Sequence, residues 1–77
     1  MNLNQFIEHF ADLFDETDHD LIKADTCFKD LEEWSSLLAL SVIAMIDEEY
    51  DVEFKGDDIR GSNTVEALFN IVKSRVG

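Results

Sequence analysis

The chain has 77 residues, of which 18 are Asp or Glu and only six are Lys or Arg, so its formal net charge at pH 7 is −12. A chain of this length can build one small core, and we treat residues 1–77 as a single domain. Its negative charge repels phosphate backbones and anionic membranes, which argues against nucleic acid as a partner and favours proteins with basic surfaces.

A first helix is predicted over residues 3–15, where apolar side chains recur at three- and four-residue steps and so share one face: Leu3, Phe6, Ile7, Phe10, Leu13 and Phe14. Asn2 or Asn4 can cap its start. From residue 16 to residue 35 this periodicity fades while acidic and turn-forming residues accumulate, which predicts a long, partly ordered loop. Four apolar side chains are expected to attach the loop to the core: Leu21, Ile22, Phe28 and Leu31.

The second helix is predicted to be the central one and to begin at Ser35 or Ser36, either of which can cap it. Its buried stripe is expected to comprise Leu37, Leu40, Ile43, Ile46 and Tyr50. A second stripe, formed by Leu38, Val42 and Met45, makes the first three turns apolar around much of their circumference. One small core cannot readily cover both stripes, so we expect part of this surface to contact a partner.

Two more helices are predicted after residue 55. Asp57 can cap a short turn that runs through Arg60 and ends at Gly61. Thr64 can cap the last helix, in which Lys73 lies near the C-terminal dipole together with Arg75, and whose apolar stripe is Val65, Leu68, Phe69, Ile71, Val72 and Val76. Because no strand-like alternation competes, we predict an all-α bundle of three main helices plus a short third helix.

The sequence offers no convincing catalytic or metal-binding set. The only histidines, His9 and His19, do not occur at the spacing of a nucleophile elbow or a metalloprotease motif. The acidic stretch that begins at Asp15 does not fit a calcium-binding loop, because Asp20 and Thr26 occupy the positions of the required Gly and Glu. We therefore expect a protein that is not an enzyme and has no metal site.

Three landmarks resemble the acyl carrier protein family across nearly the whole chain. They are the stretch Phe28–Leu37, the acidic and aromatic run of residues 47–54, and the pair Thr64–Val65. In that family a loop ending in Asp-Leu-Gly-x-Asp-Ser-Leu leads into the second helix, an acidic run ends this helix, and Thr-Val opens the last helix. The resemblance implies a bundle of the acyl carrier type.

By position, the resemblance implies that Ser36 receives 4′-phosphopantetheine from coenzyme A through a separate phosphopantetheinyl transferase, with Ser35 as the fallback site. The thiol of this arm would carry acyl groups as thioesters in fatty acid, polyketide or related synthesis. A phosphodiester at Ser36 would also lie beside unpaired N–H groups at the positive end of a helix. In the simpler alternative, Ser36 only caps that helix.

The chain departs from the family pattern at several positions. Ser35 replaces the aspartate before the modified serine, Glu33 replaces the glycine, and Lys55 stands where many relatives have proline. Leu38 and Ser41 occupy positions early in the second helix where the family often has acids. Partner enzymes are therefore expected to use a more apolar contact.

The resemblance also implies two sets of functional residues. A bound acyl chain would lie among Val42, Ile46, Tyr50, Phe54, Ile59, Leu68 and Ile71. The transferase and the enzymes that load and process acyl groups would present basic and apolar patches to Leu37, Leu38, Ser41, Met45, Asp47, Glu48 and Glu49. Trp34, beside the serines, is either packed on the core or exposed to a partner.

Two other interpretations share the fold: a carrier of aminoacyl groups, either peptidyl or D-alanyl, and an acidic interaction module without an arm. We expect a stand-alone monomer in the cytoplasm. Cys27 is the only cysteine, so no internal disulfide can form, which is typical of a reducing compartment. No apolar run is long enough to insert across a bilayer.

Overall fold

The computed structural model describes residues 2–76 and contains four α-helices: α1 Leu3–Ala11, α2 Ser36–Tyr50, α3 Gly56–Arg60 and α4 Val65–Arg75. Two short 3-10 turns, His19–Leu21 and Phe28–Asp30, interrupt the connection between α1 and α2. Residues 2–76 contain no strand, so the predicted all-α fold with a short third helix is confirmed. Within the same residues, none of the helices has the length and apolarity needed to cross a membrane.

The first helix starts as predicted but ends early. The Asn2 side chain caps its start, and the helix stops at Ala11 rather than at residue 15. Beyond Ala11, the amides of Leu13 and Phe14 donate to carbonyls three residues back, which tightens the chain into a 3-10 turn. Phe14 nevertheless stays in the core, so the predicted apolar face is right although the predicted end is wrong.

The central helix buries residues of both predicted stripes. Ile46 is buried and Ile43 and Tyr50 are half-buried, as expected, but the first two residues of that stripe face outwards. Leu37 is 73% exposed and Leu40 is 63% exposed, whereas Val42, Met45 and Ile46 lie in the core. Both stripes are apolar, so periodicity alone could not determine which side of the helix faces inwards. Packing of α1 and α3 against α2 determines which side of this helix is buried. The prediction of a buried Leu37 and Leu40 is wrong.

Aromatic rings fill the space between the helices. The ring centroid of Phe6, on α1, lies 5.6 Å from that of Phe69 on α4 and 5.9 Å from that of Tyr50 on α2. At the other end of the core, the Phe28 ring contacts Trp34 edge-on at 4.8 Å. Trp34 is half-buried against this cluster, which favours the packed interpretation of its indole.

The connection between α1 and α2 is more ordered than predicted. Ile22 and Phe28 are buried and Leu31 packs on the core, but Leu21 is exposed, contrary to expectation. Backbone carbonyls of this connection also accept hydrogen bonds from the amides of Val65 and Glu66, two of the first N–H groups of α4. The connection therefore caps the last helix as well as covering the core.

A bidentate ion pair joins α4 to α3. The Arg75 guanidinium donates to both carboxylate oxygens of Asp58, at 2.7 and 2.8 Å. Asp58 also accepts from the backbone N–H of Lys55, at 3.0 Å, which closes the turn before α3. Thr64 caps α4 as predicted, through a 3.1 Å bond from Ala67 N–H, whereas the chain has already left the helix at Val76, which is exposed.

Candidate functional site

The two adjacent serines at the start of α2 play different roles. Ser35 has an extended backbone and precedes the helix; its Oγ accepts from the Leu38 N–H at 3.3 Å, and its carbonyl accepts from the Ala39 N–H at 3.0 Å. Ser36 is the first residue of the helix and is exposed. Within residues 2–76 the Ser36 hydroxyl has no hydrogen-bond partner. Ser35 is therefore the cap, and Ser36 presents a free hydroxyl.

The start of α2 is electropositive. The N–H groups of Ser36 and Leu37 find no acceptor among residues 2–76, as expected for the first turn of a helix. Aligned peptide dipoles add a partial positive charge at this end, which typically favours a nearby anion by ~0.3–1 kcal/mol. An anionic group esterified to the Ser36 hydroxyl would therefore be stabilised where it is attached.

An open groove lies beside these serines, between the start of α2 and α3. It has a volume of about 710 Å³ and is lined by residues that include Lys29, Trp34, Ser36, Ile43, Ile59 and Arg60. A second groove of about 240 Å³ shares Leu40 and Ile43 with the first and extends to Asp47 and Phe54. At 1.5 Å per helical residue, the two together follow α2 for about 16 Å from Ser36.

Two basic residues line this groove in a chain that has few. The Lys29 ammonium donates to the main-chain carbonyl of Arg60 at 2.8 Å and lies 5.9 Å from the centroid of the Phe28 ring. The Arg60 side chain forms an ion pair with Asp57, one turn earlier on α3. Sequence analysis did not identify Lys29 or Arg60 as site residues, because only the fold brings them to the groove that Ser36 lines.

Glu33 is held by the loop that follows α1. Its carboxylate accepts from the backbone N–H groups of Asp15, Glu16 and Thr17, at 2.8, 3.1 and 2.9 Å, and from the Thr17 hydroxyl at 2.8 Å. These hydrogen bonds, led by the one from the Thr17 hydroxyl, hold the pKa of Glu33 below its usual value. The residue that replaces the family's glycine thus joins the approach to Ser36 to the rest of the fold.

The residues predicted to surround an acyl chain come together in the core. Val42, Ile46, Phe54, Ile59 and Leu68 are buried, while Tyr50 and Ile71 are half-buried against them. The Tyr50 hydroxyl oxygen is itself buried and has no hydrogen-bond partner within residues 2–76. Burial and, to a smaller extent, the nearby Glu49 carboxylate raise the pKa of Tyr50.

The residues predicted to contact partners do not form one exposed surface. Leu37 and the acidic residues Asp47, Glu48 and Glu49 are exposed, while Leu38 and Ser41 are half-buried. Met45 is only 7% exposed and lies in the core, so its predicted availability to a partner is corrected. It belongs to the stripe of α2 that faces inwards.

Leu40, and not Met45, lies on the outside of the helix. It is three residues after Leu37 and seven before Asp47, so these three side chains follow one another along the outer side of α2. The apolar periodicity of the sequence includes Leu40, but it predicts a core position for this residue. We call Leu37, Leu40, Asp47 and Glu48 the outer face of α2.

The family to which this site belongs is given by a comparison with protein-family models. A model described as a phosphopantetheine attachment site matches residues 4–72, which is most of the chain. The matched range includes both serines, the groove and all four helices except Leu3 and the last turn of α4. No curated protein and no solved structure matches the chain.

Proposed function

We propose that this chain, which belongs to the phosphopantetheine-attachment family and is thus a phosphopantetheine carrier protein, bears its arm on Ser36 and carries acyl groups. In this family 4′-phosphopantetheine is attached covalently to a serine. The arm supplies a thiol that holds its cargo as a thioester. Domains of this kind are generally carriers without catalytic groups of their own, and we extend that to this chain.

The observation that carries the proposal is the free, exposed hydroxyl of Ser36 at the start of α2. On loading, this hydroxyl would lose its proton and form a phosphodiester with the phosphate of the arm, while the nucleotide half of coenzyme A leaves. The unpaired N–H groups of the first turn would stabilise the new negative charge. The Ser35 hydroxyl is already used to cap the helix, which favours Ser36 over the fallback site.

Apolar surroundings support an acyl cargo. The groove beside Ser36 leads over Ile43 to Ile59, whose side chain is buried in the core. The residues predicted to receive an acyl chain are packed beyond it, so the helices would separate there to shield a hydrocarbon chain from water. A hydrophilic aminoacyl group would gain less from these side chains.

The outer face of α2 supports docking of partner enzymes. Leu37 and Leu40 supply apolar contact area close to Ser36, and Asp47 and Glu48 supply negative charge two to three turns further along. Carrier proteins interact with a phosphopantetheinyl transferase and with biosynthetic enzymes. For this chain we propose enzymes whose docking surfaces combine an apolar patch with Arg or Lys, which would accelerate encounter at low salt.

Intact mass tests the proposal. The purified protein is incubated with coenzyme A, magnesium and a broad-specificity transferase, beside the variants Ser36→Ala and Ser35→Ala. We expect one phosphopantetheine to be added to the wild type and to Ser35→Ala, and none to Ser36→Ala. Modification of Ser36→Ala would show that the arm is attached to a different residue. An unmodified wild type would favour an interaction module without an arm.

A further inference from the structure

We propose that Lys29 binds the phosphodiester on Ser36 and thereby holds the arm of the resting protein in the groove between α2 and α3. This inference rests on the proposed function, because it requires the arm to be on Ser36. It adds a positioning residue for the arm, supplied by the connection between α1 and α2 rather than by the helix that carries the serine.

The first observation is electrostatic. Arg75, Arg60 and Lys55 each lie within ion-pair distance of a carboxylate, whereas Lys23, Lys29 and Lys73 have no ion pair within residues 2–76. The Lys29 ammonium instead contacts a neutral carbonyl and the face of an aromatic ring. Of these three lysines, Lys29 alone is half-buried, and it also lines the groove, which makes it suited to an anion that arrives later.

The second observation is geometric. Lys29 and Ser36 line the same groove, so the ammonium borders the space that a group on the serine would enter. Its bond to the carbonyl of Arg60 uses one of three donors and fixes the lysine against the end of α3. The remaining donors have no hydrogen-bond partner within residues 2–76 and can bind phosphate oxygens.

The third observation concerns the rest of the arm. Next to its phosphate the arm has a branched hydrocarbon segment, and the adjoining part of the groove is formed by Ala39, Leu40 and Ile43 from α2 with Ile59 from α3. Leu40 is otherwise largely exposed to water. An arm anchored at its phosphate by Lys29 would therefore cover apolar surface, which favours the docked position.

Backbone amide NMR of the apo and loaded proteins tests this inference, after intact mass has established that loading is complete. In the wild type we expect loading to shift the amides of Ala39, Ile43 and Ile59 as well as those beside Ser36. In Lys29→Gln the shifts at Ile43 and Ile59 should fall to less than half of the wild-type values. The ³¹P resonance of the loaded protein should also move in that variant.

Two variants serve as controls. Lys29→Arg keeps the positive charge and should retain most of the wild-type shifts. Lys73→Gln removes the same charge from an exposed position on α4, outside the groove, and should leave the pattern unchanged. Equal loading-induced shifts at Ile43 and Ile59 in the wild type and in Lys29→Gln would overturn the inference.

A salt titration of the loaded wild type gives an independent reading that does not depend on any variant being folded or loaded. An ion contact between Lys29 and the phosphodiester should weaken as the ionic strength rises, so the shifts at Ile43 and Ile59 should decrease together. Shifts confined to the neighbours of Ser36 at every salt concentration would contradict the docked arm. Failure of the proposed function would be distinct, because the wild type would then gain no mass at all.

Discussion

Glu33 and Thr17 form a double contact that joins the residues before α2 to the loop after α1. One carboxylate oxygen of Glu33 accepts from both the backbone N–H and the hydroxyl of Thr17, at 2.9 and 2.8 Å. The other oxygen accepts from the Asp15 N–H. The Glu33 carboxylate thereby satisfies three loop amides that would otherwise need water.

We predict that Glu33→Gln loosens this loop. An uncharged amide can accept fewer and weaker hydrogen bonds than a carboxylate, so the amides of residues 15–17 should exchange with solvent faster and the melting temperature should fall. Amide hydrogen exchange and thermal unfolding measure both effects. Glu32→Gln removes the same charge from an exposed neighbour and serves as the control. Unchanged exchange at Thr17 in Glu33→Gln would contradict the role assigned to this carboxylate.

The pH dependence of stability should report the same contact. Since folding lowers the pKa of Glu33, its contribution is fully present above the ordinary value of 4.5 and is lost as the pH falls through the lowered value. The difference in melting temperature between the wild type and Glu33→Gln should therefore disappear in acid. A difference that stayed constant down to the acid limit would assign the effect to packing instead.

The ion pair between α3 and α4 makes a second pH-dependent contribution. The Arg75 guanidinium lowers the pKa of Asp58 to about 2, so this contribution is present above the usual 3.8 and is lost as the pH falls towards 2. We expect Asp58→Asn to reduce the free energy of unfolding by about 1 kcal/mol at pH 7. Urea unfolding measures the loss. Asp57→Asn, which removes an exposed pair with Arg60, should cost less, and equal losses would refute the distinction.

The buried and the exposed side of α2 should respond differently to truncation. Ile46 is fully buried, so Ile46→Ala should cost about 2–5 kcal/mol, which is comparable to the ~3–5 kcal/mol that a core of this size supplies. Leu40 is mostly exposed, and Leu40→Ala should change stability by no more than about 0.5 kcal/mol. Urea unfolding of the two variants shows which side of the helix faces the core. A larger loss of stability in Leu40→Ala than in Ile46→Ala would contradict the observed rotation of α2.

The same exposed leucines should matter for docking. We expect Leu37→Ala to lower kcat/KM of the phosphopantetheinyl transferase about tenfold, equivalent to ~1.4 kcal/mol, while leaving thermal stability nearly unchanged. Val76→Ala truncates another exposed apolar side chain, at the far end of α4, and should have no effect. Loading at the wild-type rate by Leu37→Ala would remove the outer face of α2 from the docking surface.

The fold could be predicted from sequence where the apolar periodicity allowed only one buried face for a helix. Apolar residues of α1 and α4 lie on one face, and the caps at Asn2 and Thr64 satisfy N–H groups that any helix must leave unpaired. For α2, two rotations about the helix axis would bury stripes of similar hydrophobicity. Only packing against α1 and α3 selects the observed rotation. The early end of α1 could not be predicted from the apolar periodicity either, because Phe14 remains buried after the helix has tightened into a turn.

The site could be predicted only in part, for a related reason. Ser36 is predicted from its place before Leu37 at the start of a long apolar run and from the resemblance of the flanking landmarks, which is information along the sequence. The contacts of Glu33 with residues 15–17 and of Lys29 with the end of α3 join segments that are distant in sequence. No spacing in a single sequence predicts such contacts, because they depend on how the connection between α1 and α2 folds over the core.

The most direct test of the account is to weigh the protein isolated from its native cell and to map the modified peptide. We predict a population that carries one phosphopantetheine, with or without an acyl group, and fragments that place it on Ser36. A protein that is always unmodified at Ser36 would contradict the account, and a modification on Ser35 would contradict its assignment of the two serines.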